Sequence, residues 1–204
     1  HRAIHLQNRQ AVMSYQTYTT EAIVCGTFNR NTADRSYLLF TREAGMLYAE
    51  ARSVREERSR QRMALQDFSL VRVSLIKGKA SWKIGSIECK KNFFMSASDK
   101  TARGSVVLVT KFLRRFYGGE QPFPTLFDYF TAALQLLSTN LESRDQLEKI
   151  VQARMLYELG YVDVKVIPEI VLSDIKMQSE ADLTESVLST LSPIIEKAVS
   201  LSHL

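Results

Sequence analysis

The sequence predicts an α+β protein: a small five-stranded barrel followed by an all-helical part. Three observations carry this expectation. Short β-branched and aromatic runs, separated by turn residues, fill the stretch from Thr19 to Phe94. After it, apolar residues recur at three- and four-residue steps. The chain also has 204 residues, 45% of them hydrophobic and 24% charged, which is enough to bury a real core and too apolar for wholesale disorder.

The strands follow in order. Ala22–Thr27 is apolar and β-branched, and Ser36–Thr41 carries Tyr37, Leu38, Leu39 and Phe40. Met46–Ala51 alternates, with Met46, Tyr48 and Glu50 on one side of the pleat. Ser69–Ile76 and Ser81–Glu88 flank Lys77-Gly78-Lys79-Ala80, which reads as a hairpin with a short glycine-containing loop. Five short strands suit a small closed barrel, and the charged stretch Ser53–Leu65 is of the kind that bridges one. Ser105–Tyr117 is ambiguous because Val106, Val107 and Val109 favour strands, but Phe112, Leu113 and Phe116 continue at helical spacing. Leu126, Phe130, Leu134, Leu137 and Leu141 line a helix face. Ser143-Arg144-Asp145-Gln146 matches a capping box for a helix that buries Leu147, Val151 and Met155 and stops at Gly160. A last stripe runs from Leu183 to Leu201, with Pro193 expected to kink or restart it. Residues 1–12 read as a leader or vector-derived arm, with a short native arm as the alternative. Residues 13–95 then form the barrel and residues 96–204 the helical domain.

Composition excludes several functions. No apolar run approaches the ~18 residues of a membrane span. Two cysteines, Cys25 and Cys89, cannot make a disulfide framework or a four-cysteine zinc site, and both read as core residues of a protein from a reducing cytoplasm. The three histidines, His1, His5 and His203, sit at the ends, so no positioned imidazole is available as a general base. Phosphate-loop, nucleophile-elbow and zinc-protease motifs are missing. The expectation is a protein without enzymatic activity or cofactor. An enzyme reading would need metal-dependent chemistry from scattered acids such as Asp67.

The net charge of +5 is unevenly spread. Met13–Lys91 holds 14 Lys/Arg against 8 acids, whereas Asn92–Leu204 holds 11 against 14. Arg52, Arg55, Arg58, Arg60 and Arg62 crowd together against Glu56 and Glu57, and Lys77 and Lys79 flank the hairpin tip, with Lys83, Lys90 and Lys91 beyond. Cations near phosphates release counterions, and arginine adds bidentate contacts, so this clustering points to nucleic acid. The bland alternative is a solvated loop and hairpin. Bases also stack on aromatic rings. Phe28, Tyr37, Tyr48 and Trp82 lie on or beside strands; each read alone is a core residue, and Trp82, between the basic clusters, is the one to probe. Arg30, Arg35, Arg55, Arg58, Arg60, Arg62, Lys77 and Lys79 are the candidate phosphate contacts. In the helical part, Lys111, Arg114 and Arg115 beside Phe112 and Phe116 would suit an acidic-hydrophobic peptide, against the alternative of an ordinary amphipathic helix.

The run EAIVCGTFNRNTADRSYLLFTREAGMLYAEARSVR, with SRQRMALQDFSLVRVSLIKGKA after it, resembles the amino-terminal barrel of the bacterial RecO recombination mediators. Phe123-Pro124-Thr125-Leu126-Phe127 and Arg154–Tyr161 resemble the helical domain of that family. The resemblance spans Thr19 to about Tyr161. It implies an oligonucleotide-binding (OB) fold, binding of single- and double-stranded DNA, and strand annealing. It also implies partnership with RecR, contact with the C-terminal tail of single-strand-binding protein, and indirect service to the RecA recombinase. A cytoplasmic, nucleoid-associated protein in DNA repair follows. Many family members carry a four-cysteine zinc module after the Leu-Gly-Tyr segment, but here VDVKVIPEIVLS follows without a cysteine, so the tail must pack differently. Alternatives remain: an RNA-binding barrel, because nothing in the sequence addresses the 2′-hydroxyl, or an adaptor acting mainly through protein partners.

Purified protein is therefore expected to hold no stoichiometric zinc, because two cysteines and no internal histidine cannot build a tetrahedral set. Elemental analysis showing one tightly bound zinc per chain would overturn this.

Overall fold

The computed structural model describes residues 16–29, 35–51 and 60–202. The arm at residues 1–12 and all three histidines lie outside them. Strands β1 (Thr17–Asn29), β2 (Arg35–Thr41), β3 (Gly45–Ala51), β4 (Ser69–Lys77) and β5 (Trp82–Asn92) close a barrel in the order β1-β2-β3-β5-β4. Long β1 serves two neighbours: Thr17–Ile23 pairs with β4 and Ala22–Asn29 with β2, and a bulge between Val24 and Gly26 bends it between them. Every pairing is antiparallel except β3 with β5, which is the arrangement of an OB barrel. Inward-facing Val24, Tyr37, Leu39, Leu47, Val73 and Leu75 fill it. A short helix, α1 (Arg60–Ala64), stoppers one end with Leu65, and Gln61 donates to the Gly85 carbonyl at 3.0 Å.

The outside of the barrel is also apolar along β1–β3, and the helices cover it. Ile23, Cys25, Leu38, Phe40 and Met46 share one buried cluster with α2 (Lys100–Phe116), α3 (Pro124–Leu137) and α4 (Arg144–Glu158). Phe40 meets Tyr117 and Phe127 edge-on, each with ring centroids 5.2 Å away. Burial pushes the Cys25 thiol up to about 12, so it stays protonated. Helix α2 resolves the ambiguous valine segment: Val106 and Val109 face this core, and Asp99 caps the helix by accepting the Ala102 N–H at 2.8 Å, which holds its carboxyl below the usual range. Gly160, at φ +80°, closes α4 in a Schellman turn, with Tyr161 N–H donating to Leu156 and Gly160 N–H to Tyr157. Helix α6 (Glu185–Leu201) runs through Pro193 as one helix and buries Leu191 and Ile195.

Three expectations need correction. The capping box does not form: Ser143 donates to the Ser179 carbonyl instead, and the following Arg144 is buried, donating to the Leu137 and Thr139 carbonyls at the end of α3. Cys89 is exposed, because it lies on the open face of β5. Leu201 is exposed at the last turn of α6.

Between Val162 and Leu183 the chain makes two 3₁₀ turns, Val164–Val166 and Glu169–Leu172, then α5 (Ile175–Glu180). Polar latches hold it. Buried Gln178 donates to the Val171 and Ser173 carbonyls and accepts from the Tyr129 hydroxyl at 2.7 Å; Arg154 donates to Val171 and ion-pairs Glu158.

At the seam, the β2–β3 turn is welded to the α2–α3 loop. Met46 N–H donates to the Gly119 carbonyl at 3.0 Å, and Arg42 grips Asp128 with two bonds of 2.9 Å, holding its carboxyl below the usual range. Gly45 sits at φ +73°, and a Cβ there would lie 2.8 Å from the Gly119 carbonyl oxygen and closer still to that of Gln121. Gly45→Ala therefore combines left-handed strain with a backbone clash and should cost roughly 1–3 kcal/mol. Gly104→Ala, exposed inside α2 with no neighbour within 4 Å, should stabilise by about 0.5–1 kcal/mol. Urea midpoints moving in opposite directions would bear this out; equal shifts would not.

Candidate nucleic-acid interface

Tyr37 on β2, Ala49 on β3 and Trp82 on β5 are register partners, so the start of β2 and the β4–β5 turn flank one outer face of β2–β3. The exposed Lys77 and Lys79 stand on that turn, which Gly78 tightens by donating to the Ser81 carbonyl at 3.0 Å. Arg35 begins β2, half-buried, and interacts with the Tyr37 hydroxyl; burial nevertheless raises that phenol, against the lowering effect of the guanidinium. Arg62 is exposed on α1. Of the sequence-predicted cations, Arg30, Arg55 and Arg58 lie outside the described residues, as does the side chain of Arg60.

The outer face of β2–β3 is divided. Leu38, Phe40 and Met46 go under the helices, while Ser36, Tyr48 and Glu50 remain beyond their edge. There a cleft of about 660 Å³ opens between Tyr48 and Glu50 of β3, the turn at Ser81, and Arg114 and Glu120 of the helical part. Tyr48 is 58% exposed and meets Phe28 (38%) edge-on at 5.8 Å. The Arg114 guanidinium lies 5.6 Å from the Phe28 ring centre and rests against Gly26, where a Cβ would come within 3.2 Å of Nη1. Such a site combines a cation with aromatic surface, the two ingredients of strand binding.

The structure redistributes the sequence-predicted roles. Trp82 is 7% exposed and packs into the barrel core; its Nε1–H donates to Glu120 at 2.9 Å and Lys77 sits over its ring, so no ring face is left for a base. Tyr37 is core, as the bland reading had it, but Phe28 and Tyr48 are not. One signal was available: Tyr48 shares its side of the pleat with Glu50. Phe112 and Phe116 are buried in the helical core and cannot meet a peptide. Arg115 donates to the Val199 carbonyl and to Ser202 at the end of α6, while Lys111 is exposed. Arg114 belongs to the barrel cleft.

Comparison with known proteins agrees with the barrel. Residues 13–93 match the family model described as "Recombination protein O N terminal". The chain is similar to proteins named "DNA repair protein RecO": 28% identical over 122 residues to that of Desulfitobacterium hafniense (60% of this chain, 45% of the relative), and 24% identical over 142 residues to that of Acetivibrio thermocellus (70% and 57%). A third, from Symbiobacterium thermophilum, is 36% identical over 76 residues, 37% of this chain and 30% of the relative. The matched region spans about half the length of the first two relatives. These findings support the RecO family.

The sequence has a single tryptophan. Native emission from Trp82 should be blue-shifted relative to unfolded protein. Glu120→Ala strands the buried indole N–H and should cost about 1–3 kcal/mol with a red shift, whereas Glu120→Gln keeps an acceptor and should cost less. Unchanged emission and stability in Glu120→Ala would refute the contact.

Proposed function

We propose that this RecO relative binds DNA in recombinational repair, through backbone phosphates along the β2–β3 face of its barrel. The observation that carries the reading is the exposed Phe28–Tyr48 pair beside Arg114, flanked by Lys77 and Lys79 on a RecO-type barrel. The turn between β4 and β5 is one of the two loops through which OB barrels hold oligonucleotides. The division at residues 95 and 96 separates the DNA-binding barrel from a helical domain that supports it and meets partners. Binding of single and double strands, annealing, cooperation with RecR, and exchange of single-strand-binding protein for RecA are the activities that such a protein would serve. Burial of Phe112 and Phe116 moves any contact with an acidic tail off the apolar side of α2. A cytoplasmic site of action fits, and no helix among the described residues is long and apolar enough to cross a membrane.

Binding of labelled single-stranded, duplex and RNA oligonucleotides, titrated with salt, tests the proposal. Neutralising four to six phosphates on a single strand gives a log–log slope of about −3 to −4. Lys77→Glu with Lys79→Glu should weaken all sequences alike and make the slope shallower by roughly one per phosphate lost. A flat salt response, or no binding at low salt, would sink it; tighter binding of RNA than DNA would redirect it to RNA.

A further inference from the structure

The geometry points to the barrel–helix cleft as a clamp for one unstacked base of a single strand. This deepens the nucleic-acid reading and rests on it. Tyr48 stands in the middle of β3 with more than half of its surface in water and an edge contact to Phe28, which leaves it surface on which a base can stack. Arg114 has no carboxylate partner among the described residues, so its charge, laid across Gly26 and Phe28, is available to a phosphate at the rim.

The acids decide which part of a nucleotide enters. Glu50 and Glu120 line the same cleft. Carboxylates repel a phosphate but accept hydrogen bonds from the exocyclic amines of bases. Glu120 already takes the Trp82 N–H, and a carboxylate has several acceptor positions. The backbone therefore stays at the rim, on Arg114 and the turn lysines, and the base points inward. The cleft volume of about 660 Å³ lies in the range of sites that enclose small ligands. A paired base stacked inside a duplex cannot enter, so the clamp selects single strands. An apolar peptide segment would leave the Arg114 guanidinium uncompensated. The clamp is composite, with one cation from the helical part and its stacking surface from the barrel.

The test measures affinity at one salt concentration for an unmodified single strand, an abasic strand of equal charge, and a blunt duplex. Wild-type protein should bind the abasic strand roughly 5- to 150-fold more weakly than the unmodified one, the range for loss of one stacked base. Tyr48→Ala should bind the unmodified strand as weakly as wild type binds the abasic one, without distinguishing the two, and Tyr48→Phe should restore the difference. Arg114→Gln, which removes one phosphate contact, should weaken the unmodified and abasic strands by the same factor and so preserve the ratio between them. Equal wild-type affinity for abasic and unmodified strands overturns the clamp while leaving phosphate binding intact. Equal losses on duplex and single strand in Tyr48→Ala overturn it too. Absence of any binding at low salt overturns both readings.

Discussion

Strand β2 is apolar on both faces, and everything outside the barrel follows from that. Tyr37 and Leu39 point inward to the barrel core, whereas Leu38 and Phe40 point outward and would cost several kcal/mol if left in water. Helices α2 and α3 supply the cover, with Phe40 boxed by Tyr117, Phe127 and Phe130. Barrel and helices consequently share one hydrophobic cluster. The close approach then dictates the seam: Gly45 must lack a side chain, and Met46 N–H must find the Gly119 carbonyl. The cleft lies where this cover ends.

The same double burial explains what the sequence showed and what it hid. An uninterrupted apolar run such as Tyr37–Phe40 says strand through its β-propensity, but cannot say which residues face which core. Strand and helix positions were legible because their patterns are local; Gly160 was legible as a helix stop for the same reason. The site was not. Arg114 looked like part of a peptide-binding helix because its neighbours Phe112 and Phe116 looked free, and only the packing of α2 on the barrel buries them and swings Arg114 onto Phe28. Trp82 misled in the opposite direction: two basic clusters flank it in sequence, yet its pleat position turns it inward. The capping-box pattern at Ser143 failed because tertiary partners, the Ser179 carbonyl and the end of α3, outbid the local ones.

The tail after Tyr161 shows a different solution to a packing problem. A segment of two 3₁₀ turns and a six-residue helix buries little apolar surface of its own: Val171 and Ile167 are its main anchors. Its free carbonyls are gathered instead by the amide of Gln178 and the guanidinium of Arg154, and Tyr129 holds the Gln178 oxygen. A buried amide with its donors and acceptor satisfied specifies one arrangement, because any shift leaves polar atoms unpaired at roughly 1–3 kcal/mol each. Burial pushes the Tyr129 phenol well above its ordinary range, against the lowering effects of Arg154 and Gln178, so the hydroxyl remains a donor at every physiological pH. Directional hydrogen bonds do here what a hydrophobic core cannot do in so short a stretch.

Rigidity at that seam bears on how the barrel could discriminate among strands. Lysines on an exposed turn are long-range attractors, effective at a distance and blind to strand type. Discrimination needs groups held in fixed relation, so that ordering them is not a cost of binding. Arg114 meets that condition: its stem leaves a helix whose adjoining Leu113 and Phe116 are packed in the core, and its head rests against Gly26 and the Phe28 ring. Opposite it, Glu120 is held by the Trp82 indole and pairs with Lys77 at 3.8 Å. A polyanion lying along this face meets attraction at the rim and repulsion in the cleft within a few ångströms. Net charge alone, the feature most visible in the sequence, cannot express that arrangement; it arises only because the helices stop short of Tyr48 and leave both signs of charge facing the same space.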